Sequence, residues 1–287
     1  MTIERDSSSS CESGHFKLAI IGTGIAGSAA AYFACKEIGP RISISVFERG
    51  SRIGGRMEHR PFAGTVIETG GTLLHSSNQY AAEMMTYLGL RRTTPQDRDE
   101  SGASTVGIWN GRTIAFQSSK HRAISAAKMI GRYGLSAIRT GKAVSAEVDK
   151  WIRIYELQQA EAAYATPDAM FRALGLADLC REPSPDFFRR NGISGLFVRE
   201  FVDGISRNNY GQDSCLHAFA NVVSLAGAGF AGGNLFSIEG GNSLLCERAL
   251  ERAGVEIRLN ARVHQIQGPK EGSNRQAGTR CTNQHRR

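Results

Sequence analysis

The residues of this chain that are best suited to chemistry are three glycines and an acid near its start. Gly22, Gly24 and Gly27 follow an apolar run at 17–21, and Glu48 follows a second apolar run. Glycines at this spacing permit a tight turn, a close approach to a pyrophosphate and close packing of a helix on a strand. A glutamate at that distance can accept hydrogen bonds from a ribose hydroxyl. The pattern predicts a flavin or nicotinamide dinucleotide site, with an ordinary glycine-rich turn as the alternative.

A strand–turn–helix–strand unit is needed to bring these residues together. The sequence predicts a strand at 17–21, a helix over 25–38 and a second strand over 41–47. Free N–H groups at the start of such a helix face the phosphates of a bound dinucleotide. We therefore add Ile25 and Ala26, the first residues of the helix, to the predicted binding residues.

A second glycine pair, Gly54 and Gly55, lies beyond the second strand and is followed by Arg56. The pair permits another close backbone approach, and arginine is a fixed charge suited to a phosphate oxygen. A third pair, Gly70 and Gly71, follows a short strand-like stretch. These elements resemble those of flavoproteins with two dinucleotide-binding domains, the group of amine oxidases and phytoene desaturases. That resemblance favours FAD as the dinucleotide.

Composition is that of a globular protein with a substantial core. The 287 residues are 41% apolar and 22% charged, enough for one large or two ordinary domains. No run approaches the roughly 18 apolar residues of a membrane span. Residues 1–14 are polar and lack the apolar core of a secretory signal. We expect a soluble protein, cytoplasmic if this amino terminus is authentic.

The charge and the cysteines exclude some functions. Half of the net charge of +8 lies after residue 269, and a basic cluster occupies 120–142. A basic helical surface allows contact with anionic lipid, although a solvated face is the favoured interpretation. No basic–aromatic module supports nucleic-acid binding. The six cysteines form no CxxC pair, which argues against a metal site or a disulfide framework.

The middle of the chain is predicted to be helical. It is preceded by a β-hairpin over 105–116, where Asn110 and Gly111 suit a type I′ turn. Apolar spacing and capping residues then predict a series of helices. They cover 124–139, 144–164, a segment starting at Pro167 after the cap Thr166, 194–208 and 214–225. A further helix over 242–253 and strands over 255–259 and 262–267 return to the first domain.

The predicted fold is therefore α/β: a Rossmann-type FAD-binding domain interrupted by a mostly helical substrate domain. The FAD-binding domain takes 15–118 and 235–267, and the helical domain takes 119–234. Residues 1–14 and 268–287 are polar and without periodicity, so we expect them to be disordered. A doubly wound sheet of this group has further strands, so we expect the carboxyl-terminal portion of the fold to be missing.

Several segments resemble the prenylcysteine oxidases, also called prenylcysteine or farnesylcysteine lyases. Asn-Tyr-Gly-Gln at 209–212 and Ile-Glu-Gly-Gly-Asn at 238–242 are the most specific of them. The others, in family order, are at 53–57, 68–78, 107–111, 132–136 and 223–227. The family continues beyond the last of these, so the resemblance covers its amino-terminal part.

The resemblance implies an FAD-dependent oxidase that cleaves the thioether of S-farnesyl- or S-geranylgeranylcysteine. Its products are cysteine, the prenyl aldehyde and hydrogen peroxide, and molecular oxygen is the acceptor. It implies a lysosomal or vacuolar location. We infer no obligate protein partner from the sequence. Two alternatives remain: a truncated, catalytically silent relative, or another flavin enzyme of the amine oxidase or desaturase group.

The resemblance also implies roles for single residues. His75 and Asn78 follow a glycine pair like that of a flavin-proximal loop, and Tyr210 and Gln212 are candidates to line the site. Structural roles are the alternatives for all four. For the cofactor it adds Arg49, beside Glu48, and Val263, on a strand whose counterpart passes the adenine through its backbone.

A set of apolar residues in the helical domain is the candidate slot for the prenyl chain, although helical spacing of this kind more often means core. The set comprises Phe197, Phe201, Phe219, Leu225 and Phe230.

Overall fold

A computed structural model describes residues 15–94, 107–267 and 278–283. The chain divides into two compact units. The first, here called the sheet unit, ends its first segment at Thr72, continues over Ala81–Arg92 and resumes at Ser237. The second, here called the helical unit, comprises Leu73–Tyr80 and Thr93–Phe236.

The described elements up to the middle of the chain are short strands with few helices. In chain order they are β1 (Phe16–Ile21), α1 (Ile25–Ile38), a 3₁₀ turn (Gly39–Arg41), β2 (Ile42–Phe47), β3 (His59–Phe62), β4 (Thr65–Glu68), β5 (Leu74–His75), α2 (Gln79–Tyr87), β6 (Arg92–Thr93), β7 (Gly107–Trp109) and β8 (Ile114–Gln117).

Helices dominate the remainder until the chain returns to strands. They are α3 (Arg122–Tyr133), α4 (Ser136–Gln159), α5 (Pro167–Ala173), α6 (Ser184–Arg190), α7 (Gly195–Phe197), a π-helical segment (Val198–Val202), α8 (Asp203–Tyr210) and α9 (Ala218–Gly227). The last elements are β9 (Leu235–Ile238), α10 (Leu244–Ala253), β10 (Glu256–Arg258), β11 (Ala261–Gln267) and β12 (Gly278–Asn283).

The sheet unit is built on parallel strands in the order β1–β2–β10, as far as the described residues show. β1 and β2 pair along their whole length, and β10 pairs with β2 from Glu256 opposite Ser45. Ile20, Ile44 and Val46 point to one buried cluster, which Ala31 of α1 and Leu250 of α10 complete. The strand–turn–helix–strand unit predicted from the sequence is confirmed, with the helix at the predicted bounds.

The carboxyl-terminal segment differs from the prediction. Residues 268–287 were expected to be disordered, but 278–283 form β12 and pair antiparallel with β11. The expectation rested on low apolar content, whereas ladder hydrogen bonds join main-chain groups of any sequence. The other residues of the predicted tail, and the predicted disordered segment 1–14, lie outside the described residues.

The helical unit has one large apolar core. Its fully buried side chains include Leu174, Leu176, Phe197, Val202 and Leu225. Helices predicted from Pro167 and from Ser194 begin as expected: Thr166 accepts a hydrogen bond from the Ala169 N–H, and Ser194 accepts one from the Phe197 N–H.

The hairpin β7–β8 belongs to the helical unit, not to the sheet unit as predicted. Phe116 is part of the helical unit's core, and Ile108 packs against that core. The predicted type I′ turn is also wrong, because Gly111 has a positive φ of 93° but Asn110 does not. Instead the Asn110 side chain accepts hydrogen bonds from the N–H groups of Arg112 and Thr113.

Helix boundaries in the helical unit differ from those predicted. The helix expected over 124–139 ends at Tyr133, where Gly134 adopts a positive φ of 60°. A second helix starts at Ser136 and runs to Gln159. Glycine at such an end satisfies the last carbonyl groups without strain, and apolar spacing alone does not reveal it. The short helix α6 was not predicted.

No helix in the described part of the chain has the length and apolarity to cross a bilayer. Within those same residues, no cluster of ligating side chains could hold a metal ion. Cys35, Cys180, Cys215 and Cys246 are unpaired, and burial raises the pKa of the Cys246 thiol to about 11.

Candidate functional site

The first glycine turn of the sheet unit joins β1 to α1. Gly22 has a positive φ of 100°, and its N–H donates to the carbonyl of Phe47 at 2.7 Å. A Cβ on Gly27 would overlap the carbonyl oxygen of Gly22. Helix and strand therefore approach each other so closely that residue 27 must be glycine, as the motif requires.

The start of α1 offers main-chain donors. Gly24 is its N-cap, Ile25 and Ala26 are its first residues, and within the described residues neither a side-chain cap nor a first-turn acid occupies this end. Such a helix end has unpaired N–H groups and a partial positive charge, which suit a phosphate.

The second glycine pair lies directly against the first turn. Gly24 and Gly54 form an isolated parallel bridge, and the Gly54 N–H donates to Thr23 O at 3.0 Å. A Cβ on Gly55 would come within 3.0 Å of the Gly24 Cα. The two motifs predicted from the sequence thus form one backbone surface, here called the glycine cradle (Gly22–Gly24 with Gly54–Gly55).

The Glu48 carboxylate is held in place by hydrogen bonds from the first glycine turn and from Gly50. Its Oε2 accepts from the N–H of Thr23 at 3.0 Å and from the Thr23 hydroxyl at 2.9 Å, and its Oε1 accepts from the Gly50 N–H at 2.7 Å. Burial by itself would raise the pKa of Glu48, but these hydrogen bonds outweigh it and hold the pKa below its usual value. The carboxylate is therefore ionised, oriented and able to accept further hydrogen bonds.

A cavity of about 270 Å³ opens beside Glu48. Four residues predicted to bind the cofactor contribute to its wall: Gly22, Glu48, Arg49 and Val263. The other lining residues are Ile21, Phe47, Ala261 and Arg262. The strand β11 therefore brings Val263 to the same cavity as Glu48.

Arg56 lies next to the cradle with its side chain exposed. Within the described residues its guanidinium makes no hydrogen bond or ion pair, whereas Arg52 donates to Gly55 O and pairs with Glu58. Arg56 is therefore an available cation beside a surface that suits phosphate.

The third glycine pair is held by a buried asparagine. The Asn242 Nδ2 donates to the carbonyls of Gly71 and Thr72 at 2.7 and 3.0 Å, and its Oδ1 accepts from the Ile238 N–H. The Asn242 N–H donates to Oε1 of Glu68. A Cβ on Gly70 would overlap the Arg56 carbonyl, so this loop too lies against the segment that follows the cradle.

These features fit a dinucleotide. The cradle is a surface of backbone that side chains would fill, and Glu48 and Arg56 supply an acceptor and a cation at its margin. Glu68 adds a buried carboxylate oxygen, Oε2, without a hydrogen-bond partner among the described residues. Such an orphaned acceptor indicates that a donor is absent, and the hydroxyl groups of a dinucleotide are donors of the right kind.

A second concave feature lies within the helical unit and has a volume of about 450 Å³. Its walls are the facing sides of α4 and α9 and the segment after β5, and we call it the α4–α9 groove. The lining residues are Glu147, Val148, Trp151, Ile152 and Tyr155 of α4, Phe219, Val222, Val223, Ala226 and Gly227 of α9, and His75, Ser77 and Asn78.

His75 and Asn78, two of the four predicted catalytic residues, line the groove. His75 Nε2 bonds to Gly232 O at 2.9 Å, and its Nδ1 accepts from the Ser77 N–H at 3.1 Å. This arrangement requires the neutral tautomer with its proton on Nε2. Both ring nitrogens are therefore engaged by main chain, which favours a positioning role over proton transfer.

Tyr210 and Gln212 are not among the residues that line the groove. The Tyr210 hydroxyl donates to Ala220 O at 3.2 Å, and burial raises its pKa. Gln212 lies exposed just after α8. The geometry gives these two residues a helix-packing and a surface position.

The predicted apolar slot divides between core and groove. Phe197 and Leu225 are fully buried, and Phe201 and Phe230 pack against the same core. Phe219 alone of the five lines the groove. Thr23, which orients Glu48, and Trp151 were not predicted from the sequence. The spacing of 219, 222, 223, 226 and 227 was the available signal for the groove.

The fold defines the class of protein. A family model described as an NAD(P)-binding Rossmann-like domain matches residues 20–88. A solved structure of putrescine oxidase is similar over 93% of this chain and 54% of that chain, with a TM-score of 0.57 and 17% identity. The protein is therefore an α/β protein with a Rossmann-type dinucleotide-binding domain and a helical unit inserted in it.

The family follows from the sequence comparisons. A family model described as prenylcysteine lyase matches residues 116–286, and the chain belongs to this family. Prenylcysteine oxidase 1 of Mus musculus is 31% identical over 84% of this chain and 46% of its own length. Farnesylcysteine lyase of Arabidopsis thaliana is 29% identical over 86% of this chain and 51% of its own length. The chain thus spans about half the length of these relatives.

Proposed function

We propose that this protein binds FAD and acts as an oxidase that cleaves the thioether of S-farnesyl- or S-geranylgeranylcysteine. The observation that carries the proposal is the glycine cradle with its ionised Glu48, in a chain of the prenylcysteine lyase family. The α4–α9 groove supports it, because an apolar concavity in the helical unit suits a hydrocarbon substrate better than a small diamine.

FAD is favoured over a nicotinamide dinucleotide by the second and third glycine loops. A simple dinucleotide-binding turn needs the first glycine motif alone. Here Gly54–Gly55 extend the backbone surface, and Arg56 beside it has no ion-pair partner in the part of the chain that the structure describes. A diphosphate lying across both loops would be held by the α1 amides at one side and by Arg56 at the other.

The proposed reaction converts prenylcysteine, oxygen and water into cysteine, the prenyl aldehyde and hydrogen peroxide. FAD, when bound, supplies the oxidising chemistry by accepting hydride from the carbon next to sulfur. The chain's own residues hold the cofactor, bind the substrate and exclude water. Glu48 would accept a hydrogen bond from the adenosine ribose, and Val263 of β11, which lines the same cavity, would contribute to the adenine site.

Within the groove, we propose that His75 and Asn78 position the substrate. His75 fixes the loop through main-chain bonds on both nitrogens, and Asn78 lies three residues further along the same wall. Tyr210 and Gln212, which lie away from the groove, receive no substrate contact in this proposal.

The cofactor is tested by titrating the purified chain with FAD and recording its absorption spectrum. We expect flavin absorption bands at about 375 and about 450 nm that remain with the protein after gel filtration. Gly24→Val should abolish this retention, because its side chain would occupy the cradle. Unchanged flavin content in that variant would refute the placement, and a colourless, aggregating wild type would support a silent relative.

Arg56→Gln provides a sharper test with a matched control. Loss of its free guanidinium should weaken FAD affinity about tenfold, corresponding to one charged hydrogen-bonded contact. Arg60→Gln removes an exposed arginine that pairs with Glu58 in the same unit and should leave the affinity unchanged. Equal effects of the two substitutions would contradict the phosphate role of Arg56.

The substrate is tested by peroxide release. S-Farnesyl-L-cysteine should produce peroxide in the presence of oxygen, and putrescine and cyclohexylamine should not. Peroxide from the amines alone would remove the thioether assignment and support the alternative of an amine oxidase.

The remaining part of the proposal concerns location. The family implies the lysosome or vacuole, and α3 and the start of α4 carry exposed Ile124, Ile130 and Leu135 together with Lys128. A helical surface of this composition can rest on anionic lipid. Cosedimentation with phosphatidylcholine vesicles containing phosphatidylserine, and not with phosphatidylcholine alone, is the expected result, and no sedimentation with either would contradict it.

A further inference from the structure

The α4–α9 groove is enclosed by two helix faces that show regular spacing. On α9 the lining residues recur at i, i+3, i+4, i+7 and i+8 from Phe219, and on α4 they run from Glu147 to Tyr155. Both helices also pack on the large core of the helical unit, which fixes their separation. The groove is therefore a stable feature of the unit.

The inner wall of the groove is formed by aliphatic side chains. Val148, Ile152 and Val222 contribute branched aliphatic surface along its length. Two of the polar groups on α4 are engaged by the protein: Tyr155 Oη accepts from the Gln79 N–H, and Glu147 pairs with Lys150 at 2.7 Å. Along the aliphatic wall a polar ligand would lose its hydration without gaining matching partners.

Two aromatic rings, those of Trp151 and Phe219, form part of the wall, with centroids 5.9 Å apart. Phe171 packs against both, 5.8 Å from Trp151 and edge to face with Phe219 at 5.2 Å. Ring clusters at such distances hold their geometry and present large apolar surfaces. The double bonds and methyl branches of an isoprenoid chain would pack against them.

We propose that the α4–α9 groove is the site that binds the isoprenoid chain of the substrate. This inference rests on the proposed function, and it assigns the chain to residues of the helical unit. Gly227 and Ala226 provide the space at the end of α9, and Trp151 provides the aromatic wall.

Gly227 offers a clean way to fill the groove. It lines the groove at the end of α9, its backbone is helical, and a Cβ placed on it meets no atom within 4 Å. Gly227→Leu should therefore fold and place its side chain in the space that the ligand would use. Gly131→Leu is the matched control, because Gly131 also lies in a helix with open space around its Cβ, away from the groove.

Trp151 supplies the readout. The chain has two tryptophans, and Trp109 is 64% exposed on β7. In a Trp109→Phe background, the emission of the full chain with FAD added then reports on the groove. We expect saturable quenching or a blue shift with S-farnesyl-L-cysteine and none with S-methyl-L-cysteine.

Gly227→Leu should weaken this binding at least tenfold, and Gly131→Leu should leave it unchanged. The far-ultraviolet circular dichroism and the thermal midpoint of the same samples show whether each variant is folded. If Gly227→Leu does not fold, Val223→Phe serves in its place, because Val223 lines the groove and is half exposed.

The two proposals fail in different ways. A wild type that takes up FAD and oxidises farnesylcysteine without any response of Trp151 overturns the groove assignment and leaves the function standing. A response of Trp151 that Gly227→Leu does not weaken also overturns it. Specific binding that Gly227→Leu abolishes, in a chain that releases no peroxide from farnesylcysteine, supports the groove and defeats the oxidase.

Discussion

The two candidate sites are built from different parts of the polypeptide. The glycine cradle of the sheet unit is a surface of main chain, made by removing side chains at Gly22, Gly24, Gly54 and Gly55. The α4–α9 groove of the helical unit is a surface of side chains on two helix faces. A main-chain site has a fixed shape and tolerates almost no substitution. A side-chain site can change its contents while the helices stay in place, which suits the part of a protein that determines substrate.

The largest expected difference in stability between the two units comes from changing one glycine to alanine in each of them. Gly27→Ala should destabilise the sheet unit by more than about 3 kcal/mol, since the new Cβ overlaps the Gly22 carbonyl. Gly131→Ala should stabilise the helical unit by about 0.5–1 kcal/mol, because its helix interior has open space at that position. Urea unfolding of both variants measures the effects, and effects of the same sign would break the contrast.

The next largest difference between the two units is expected at two buried asparagines. Asn242 supports main chain, and Asn221 joins the side chains of Ser184 and Ser206. Each change to alanine should cost about 2–3 kcal/mol through buried groups left unpaired. We expect FAD to be lost in Asn242→Ala and retained in Asn221→Ala, as read from flavin absorbance. Retention in both would show that the Gly71 loop does not contribute to the cofactor site.

A smaller effect is expected at an ion pair that fastens the π-helical segment to α3. Glu200 accepts from Arg132 at 2.7 and 2.8 Å and from the Tyr133 hydroxyl at 2.9 Å. The Arg132 hydrogen bonds hold the pKa of Glu200 below its usual value, and burial with the Glu200 hydrogen bond raises the pKa of Tyr133 to about 12. Glu200→Gln should lower thermal stability by about 1–2 kcal/mol, discounted for the partly exposed arginine. FAD affinity should stay unchanged, and a loss of FAD would show that this ion pair also supports the cofactor site.

The smallest effect concerns pH. The pKa of Glu48 is lowered in the folded state, so its contribution to stability is complete above the usual glutamate value of about 4.3. The contribution is lost as the pH falls through the lower folded value. Glu48→Gln should flatten this acid dependence of the urea midpoint below the usual glutamate value. An unchanged profile would show that the Thr23 and Gly50 hydrogen bonds do not stabilise the ionised form.

The contrast between a main-chain site and a side-chain site also explains which features the sequence could predict. The cradle was predictable because Gly22 and Gly27 are required by local geometry: a positive φ at one and a forbidden Cβ at the other. The bond from Thr23 to Glu48 was not, since threonine is tolerated in any turn. His75 and Asn78, predicted as catalytic residues, line one groove, and the main-chain partner of His75 Nε2 is Gly232, far along the chain.

The groove could not be located from the sequence in the same way. The spacing along α9 marks an apolar stripe, yet Leu225 on that helix faces the core while Val222 and Phe219 also reach the groove. Which face meets α4 depends on packing of the whole unit. Similarly, the break between α3 and α4 depends on one glycine, Gly134, whose left-handed conformation no apolar period reveals.

The order of strands in the sheet unit also bears on how the protein acquires its shape during synthesis. The central strand β2 can pair with β1 at once, but its other partner, β10, arrives later, with Ser45 and Glu256 separated by 211 positions. The ribosome synthesises the entire helical unit in that interval. Contacts of such long range form slowly and leave apolar edges open to wrong partners meanwhile. We therefore expect the sheet unit to be the part that needs chaperones during translation. The helical unit should fold first and by itself.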